Sequence, residues 1–206
     1  MPRVKTRRMR PKLKVLAGGA VGELDGLSDD QLMLLLSREE RSFEVLVRRH
    51  QPLVLAFAAR FLGDHSVARE ITQEAFLTLW TERSTYSPQG KFRSYLLALT
   101  ANRCKSAGRR RQVARRQQPS VQSQSAQVAS VLPLDELLEA ERASLVRTKL
   151  QTLEEPYREA LLLRFCSGLS YREIASVTGK PAGTIKSLVS RGLKHLWSSL
   201  PPELRA

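Results

Sequence analysis

Apolar residues recur at helical spacing through most of this chain, and the most telling stretch is residues 168–196, GLSYREIASVTGKPAGTIKSLVSRGLKHL. Ile174 and Val177 carry the period up to Gly179, Lys180 and Pro181, and Ile185, Leu188, Val189 and Leu196 resume it afterwards. A glycine free to adopt the left-handed conformation ends the first helix, and Pro181 suits the approach to the second. Ala175, four residues before Gly179, is small enough for two helices to cross closely, so the spacing predicts a helix-turn-helix.

The second of these helices sorts into two faces. Ile185, Leu188, Val189, Gly192, Leu193 and Leu196 are expected inward; Thr184, Lys186, Ser187, Ser190, Arg191 and Lys194 are expected outward, without a carboxylate among them. Hydroxyl and basic donors on one helix face suit a DNA major groove, where they meet base edges and phosphates. An ordinary helical hairpin with a solvated basic face would show the same pattern, so the rest of the chain has to decide.

Upstream, Ser28 before DDQLMLLLS reads as a capped short helix with acids in its first turn. SFEVLVRRHQPLVLAFAARFLG predicts a long helix stopped by Gly63, with Pro52 as a candidate kink. SVAREITQEAFLTLWTER predicts a third, capped by Ser66, burying Ile71, Ala75, Phe76, Leu79 and Trp80 and leaving Glu70, Gln73, Glu74 and Leu77 as a separate stripe. A turn at YSPQGK leads into FRSYLLALTANRCKSAGRRR, apolar in its first half and basic in its second, with Gly108 loosening its end. Arg103, Lys105 and Arg109 to Arg111 can lie along a nucleic-acid backbone, and Phe92 and Tyr95 are either core residues or stacking platforms for unpaired bases.

Residues 117–133, QQPSVQSQSAQVASVLP, hold no charge and little besides Gln, Ser, Ala, Val and Pro, which is a linker composition. Beyond it the pattern predicts a helix over about 134–152, then a helix in EEPYREALLLRFCSG that starts at Pro156 and stops at Gly168. No stretch alternates as a sheet strand would. The chain therefore reads as all-α: two small helical domains joined by a flexible linker, the second ending in the helix-turn-helix. The expected divisions are a basic, disordered tail at 1–22, a first domain at 23–112, a linker at 113–133 and a second domain at 134–199.

Charge sharpens this picture. The net charge is +14, and residues 1–22 and 101–120 each hold seven basic and no acidic residues, which together account for the whole excess. Cations concentrated in two stretches suit a polyanion partner better than a merely soluble surface. The chain has no apolar run long enough for a membrane span and no convincing signal peptide, so it reads as cytoplasmic, without membrane insertion. Cys104 and Cys166 share no short spacing with each other or with His50, His65 and His195, so no metal or other cofactor is expected. No nucleophile and base at recognisable spacing and no phosphate loop point to catalysis, and the expectation is a protein that is not an enzyme.

With both blocks in view, the chain resembles the extracytoplasmic-function sigma factors, the small two-domain promoter-specificity subunits of bacterial RNA polymerase. The resemblance spans about 28–199 and rests on FEVLVRRHQPLVLAFAARFLGD, AREITQEAFLTLW and FRSYLLALTANR in the first block, and on LEEPYREALLLRFCSGLSYREIA and GTIKSLVSRGLKHL in the second. It implies that Glu70, Gln73, Glu74 and Leu77 grip the clamp of core RNA polymerase. It implies that the helix from Phe92 recognises and melts the minus-10 promoter element, with Asn102 near an extruded base and Arg93, Arg103, Lys105, Arg109, Arg110 and Arg111 along the strand. It implies that Thr184, Lys186, Ser187, Ser190 and Arg191 read the minus-35 element of promoter DNA, with Arg172 on phosphate, and that an anti-sigma factor is a possible partner. Arg69 and Tyr95 depart from the acid and the tryptophan frequent in the family at those places. The competing reading is a stand-alone helix-turn-helix regulator, which would have no need of the first block.

Overall fold

A computed structural model describes residues 24–117 and 134–204, and among them every regular element is helical. The expected tail and residues 118–133 of the expected linker lie outside the described residues. The elements are α1 (Asp29–Leu35), α2 (Arg41–Leu62), α3 (His65–Thr81), α4 (Phe92–Gln117), α5 (Leu134–Thr152), α6 (Glu155–Leu161), α7 (Tyr171–Thr178) and α8 (Ala182–Ser199). A π-helical turn, Leu162–Cys166, extends α6, and a short 3-10 turn, Pro202–Leu204, follows α8. Among the described residues no helix is long and apolar enough to cross a membrane.

Local chemistry explains most boundaries. Ser28 caps α1 through a reciprocal pair: its hydroxyl accepts from Gln31 N–H at 3.3 Å, and its own N–H donates to Gln31 Oε1 at 2.8 Å. Ser170 and Glu173 repeat the device at the start of α7, at 3.3 and 2.8 Å. The cap of α3 is Asp64, not Ser66, because the Asp64 carboxylate accepts from both Ser66 N–H at 2.9 Å and Val67 N–H at 3.1 Å. Pro52 breaks nothing. It sits on the exposed side of a continuous α2, where the carbonyl left without its helical donor can turn to water. Gly108 likewise fails to end α4, which runs on as far as Gln117.

The packing forms two clusters. One lies within the first block, where Leu32, Leu46, Val54, Leu79, Phe92 and Leu96 are buried together, so Phe92 is a core residue and not a stacking platform. The other crosses from the first block into the second: Phe57, Phe61, Leu97 and Cys104 share one apolar cluster with Leu162, Leu163, Ile174 and Ile185. α8 lies tightly on α6 at Gly192, where an added Cβ would meet Leu161 Cγ at 3.2 Å and Tyr157 Cβ at 3.3 Å.

Candidate nucleic-acid and polymerase interfaces

The helix-turn-helix is built as its sequence predicts. Gly179 ends α7 with φ +70° and its N–H bonds to the Ala175 carbonyl at 2.9 Å; Pro181 precedes α8. Ile174, Ile185 and Val189 are buried between the two helices and their support, which turns Thr184, Lys186, Ser187, Ser190 and Arg191 outward, all exposed, with Arg172 exposed in the first turn of α7. None of these side chains has a hydrogen-bond or ion-pair partner among the described residues, so their donors face water. Leu193 is a correction. It was expected inward and is exposed, together with Trp197 one turn on, because the seam against α6 is already filled by Val189 and Gly192.

The basic residues of α4 are held differently. Arg93, Asn102, Arg109 and Arg110 are exposed, whereas Arg103, Lys105 and Arg111 are engaged within the protein. Arg103 donates to Glu74 Oε2 at 3.0 Å and also to the Thr78 hydroxyl. Arg111 pairs with Asp64 at 2.7 Å, and Lys105 pairs with Glu159 of α6 at 2.9 Å. Asp64 is held below the usual carboxylate range, chiefly by its hydrogen bond from Val67 N–H, with Arg111 adding to the effect. Burial pushes the neighbouring Cys104 thiol up to about 12, with Glu159 adding to the shift, which leaves it an unreactive core group. Tyr95 is half-buried, its hydroxyl 3.4 Å from Glu82 Oε2.

On α3 the expected stripe is one continuous surface. Glu70 and Gln73 are exposed, Leu77 is 62% exposed, and Glu74 is half-buried by its pair with Arg103. The structure adds a feature that periodicity had assigned to the core. Trp80 is only half-buried and, with Phe43, Val47, Phe76 and Leu77, lines an open apolar groove of about 570 Å³ beside the stripe. Phe43 meets Trp80 edge-on with ring centroids 5.1 Å apart, and the Arg83 guanidinium lies 4.5 Å from the Trp80 ring centre. Phe76 is buried in the first-block core, and Phe43 and Trp80 stand half-buried at the rim of the groove.

Comparison with known proteins agrees with this arrangement. Residues 46–114 match the family model of Sigma-70 region 2, and residues 143–196 that of Sigma-70, region 4. The chain is 31% identical over 189 residues to the RNA polymerase sigma-H factor of Pseudomonas aeruginosa, covering 86% of this chain and 96% of that one. It is 24% identical over 174 residues to the ECF RNA polymerase sigma-E factor of Escherichia coli strain K12, covering 81% and 91%. Among solved structures it is similar to the sigma factor RpoE in its co-crystal with the anti-sigma factor NepR from Bartonella quintana (TM-score 0.60, 26% identity, 77% of this chain and 96% of that one). The fold is also that of CnrH in complex with the cytosolic domain of CnrY (TM-score 0.62, 21% identity, 82% and 95%). A stand-alone regulator would account for the region 4 match but not for region 2. With both regions present, in order, and over nearly the full length of its relatives, the chain belongs to the extracytoplasmic-function sigma factors, the promoter-recognising subunits of RNA polymerase.

Proposed function

We propose that three surfaces divide the work of this sigma factor. The stripe Glu70, Gln73, Glu74 and Leu77, together with the adjoining aromatic groove, binds the clamp of core polymerase. A mixed acidic and apolar strip beside the half-buried rings of Phe43 and Trp80 supports this, because it offers both charge complementarity and an apolar anchor. The α4 set of Arg93, Asn102, Arg103, Lys105 and Arg109 to Arg111 captures the melted minus-10 strand, its cations following the backbone while the Asn102 amide meets an extruded base. The α8 set of Thr184, Lys186, Ser187, Ser190 and Arg191 reads the minus-35 duplex from the major groove, and Arg172 anchors on phosphate.

The observation that carries this division is the contrast in chemistry between two exposed helix faces on one chain: α3 presents Glu70, Gln73 and Leu77, and α8 presents hydroxyls and cations without an acid. A protein surface and a polyanion ask for those two opposite compositions. Synthesis is left to the polymerase, so the chain acts as a non-catalytic initiation factor, and it works in the cytoplasm where core polymerase acts. The solved complex of the sigma factor RpoE with the anti-sigma factor NepR supports a protein of that class as a further ligand.

The test is co-purification with bacterial core RNA polymerase. Wild type is expected to be retained, and a Glu70→Ala, Gln73→Ala, Leu77→Ala variant to lose affinity by about a hundredfold, as hot-spot truncations at a compact interface do. Glu74 is kept in that variant because its pair with Arg103 would confound the result. Equal retention of both proteins would remove the stripe from the polymerase contact.

A further inference from the structure

Where α2, α4, α5 and α6 come together, guanidinium groups gather around two open cavities. Arg109 and Arg111 of α4 and Arg158 of α6 line one of about 770 Å³, with Glu155 on the same wall. Arg60 of α2 and Arg147 of α5 line the other, of about 570 Å³, together with His65 and the Asp64 carboxylate. Gly63 and Gln151 are common to both walls. Gly63 gives Gln151 the room to lie between them: a Cβ at Gly63, whose φ is +68°, would meet Gln151 Cδ and Oε1 at 3.0 Å. The Gln151 amide donates to the Arg60 carbonyl and accepts from Arg158 Nη1 at 3.3 Å, which ties the two cavities into one junction.

Charge at this junction is unbalanced. Asp64 is taken up by Arg111 at 2.7 Å. Arg60, Arg109, Arg147 and Arg158 have no carboxylate within ion-pair distance among the described residues. Arg60 and Arg158 are, moreover, half-buried. Arg60 donates only to the Ala56 carbonyl at 3.2 Å, and Arg158 to the Gln151 carbonyl at 2.9 Å besides its side chain, while Arg158 Nε is buried with no hydrogen-bond partner. Burial pulls the Arg158 pKa below the ordinary guanidinium value, against the field of Glu155. Residues 117–133, which join α4 to α5, carry no charge and so bring no counter-ion. A cation withdrawn from water without a counter-ion costs stability, and an anion bound beside it offsets that cost.

We propose that this junction is a binding site for a polyphosphate, either an inorganic chain or the phosphates of a nucleoside triphosphate, held by guanidinium groups from four helices. Each guanidinium fork matches two phosphate oxygens. One phosphate would satisfy one cavity, whereas a chain of them passes Gln151 and reaches both. Each cavity lies within the range of about 300–1,000 Å³ usual for small ligands. An extended DNA strand follows a continuous basic groove, and two recessed cavities divided by a side chain fit a compact polyanion better. Arg109 and Arg111 also belong to the set proposed to follow the minus-10 strand, so an occupied junction withholds them from DNA. That consequence rests on the function proposed above; the site itself does not.

The test titrates the full chain at fixed ionic strength with sodium tripolyphosphate, with ATP and with orthophosphate in a calorimeter. Wild type is expected to take up one tripolyphosphate per chain, at least about tenfold more tightly than orthophosphate. Arg60→Gln and Arg158→Gln are each expected to weaken tripolyphosphate binding by about tenfold, the worth of one charge-assisted contact. Arg38→Gln, an exposed cation near the other end of α2, is expected to change nothing. Should circular dichroism show that Arg158→Gln has lost helix, the exposed Arg147→Gln, whose side chain supports no contact in the fold, is expected to show the same tenfold loss. ATP binding as tightly as tripolyphosphate would assign the site to a nucleotide, and weaker binding of ATP to the inorganic chain. Several weak ions per chain with no preference over orthophosphate would overturn the site, as would equal affinity in wild type and all the cleft variants. If the variants weaken a single-stranded DNA 12-mer by the same factor and tripolyphosphate does not compete with it, the guanidinium groups belong to the strand path and the proposal fails. Retention of wild type on core polymerase is independent of these outcomes, so failure of this site and failure of the sigma-factor surfaces remain distinguishable.

Discussion

Helices α4 and α8 both carry cations suited to DNA, yet they hold them in opposite ways. On α8 the side chains of Thr184, Lys186, Ser187, Ser190 and Arg191 are exposed and without a partner among the described residues, set by a buried seam of Ile185, Val189 and Gly192 on the other side. On α4 three of the cations are tied to carboxylates from three different helices or caps: Arg103 to Glu74, Arg111 to Asp64 and Lys105 to Glu159. On the proposed division of labour, the difference follows from what each element recognises. A duplex offers the same groove before and after binding, so its reader can stay preformed and open. A single strand exists only after melting, and a helix that displayed every cation beforehand would bind any polyanion it met.

The comparison can be broken most forcefully from the inside. Ile185 is fully buried beneath the α8 surface, and Ile185→Ala is expected to cost about 2–5 kcal/mol in chemical denaturation, with loss of duplex binding as a consequence of lost support. A cost below about 1 kcal/mol would mean that α8 is not positioned by this seam.

Single contacts come next and separate the two helices. Arg191→Ala should weaken binding of a minus-35 duplex by about 1–3 kcal/mol while leaving stability within about 0.5 kcal/mol of wild type, since the side chain is exposed and unpaired. Asn102→Ala should leave that duplex affinity alone and slow promoter opening in the presence of core polymerase by a factor of about 3–10, the worth of one hydrogen bond. If the two variants fail in the same assay to the same degree, the division of labour between α4 and α8 is wrong.

The smallest effect should come from pH. His50 in the first domain sits 2.8 Å from Asp29 and 5.1 Å from the Phe92 ring, and burial holds its pKa below the ordinary imidazole value, outweighing the pull of Asp29 in the other direction. In the unfolded chain the imidazole takes up its proton at a higher pH than in the folded one. Its contribution to stability is therefore complete above the ordinary value of 6.5 and declines as pH falls from there towards the folded value. Denaturation of His50→Phe is expected to show a flatter dependence between pH 7 and 5.5 than wild type, and identical slopes would place the acid sensitivity elsewhere.

Much of this protein is determined by local sequence. The break at Gly179 to Pro181, the cap at Ser28 and the exposed donors of α8 follow from backbone preferences and a 3.6-residue period, both of which act within one or two turns of the chain. The same locality produced the errors. Pro52 and Gly108 are helix breakers by propensity, but in the folded chain both lie inside continuous helices, Pro52 at an exposed position. Trp80 is apolar by type yet lines an exposed groove, and Leu193 is in phase for burial but finds its place already taken. What no local rule reaches is partnership across distance. Nothing in the pattern joins Lys105 to Glu159, 54 positions away, or Arg111 to Asp64, 47 away. An ion pair depends on where two helices cross, and that is set by the fit of whole apolar faces such as Phe61 and Leu97 against Leu162 and Leu163. The sequence by itself thus determined which surfaces this sigma factor possesses, and only the tertiary structure decided which of them are open.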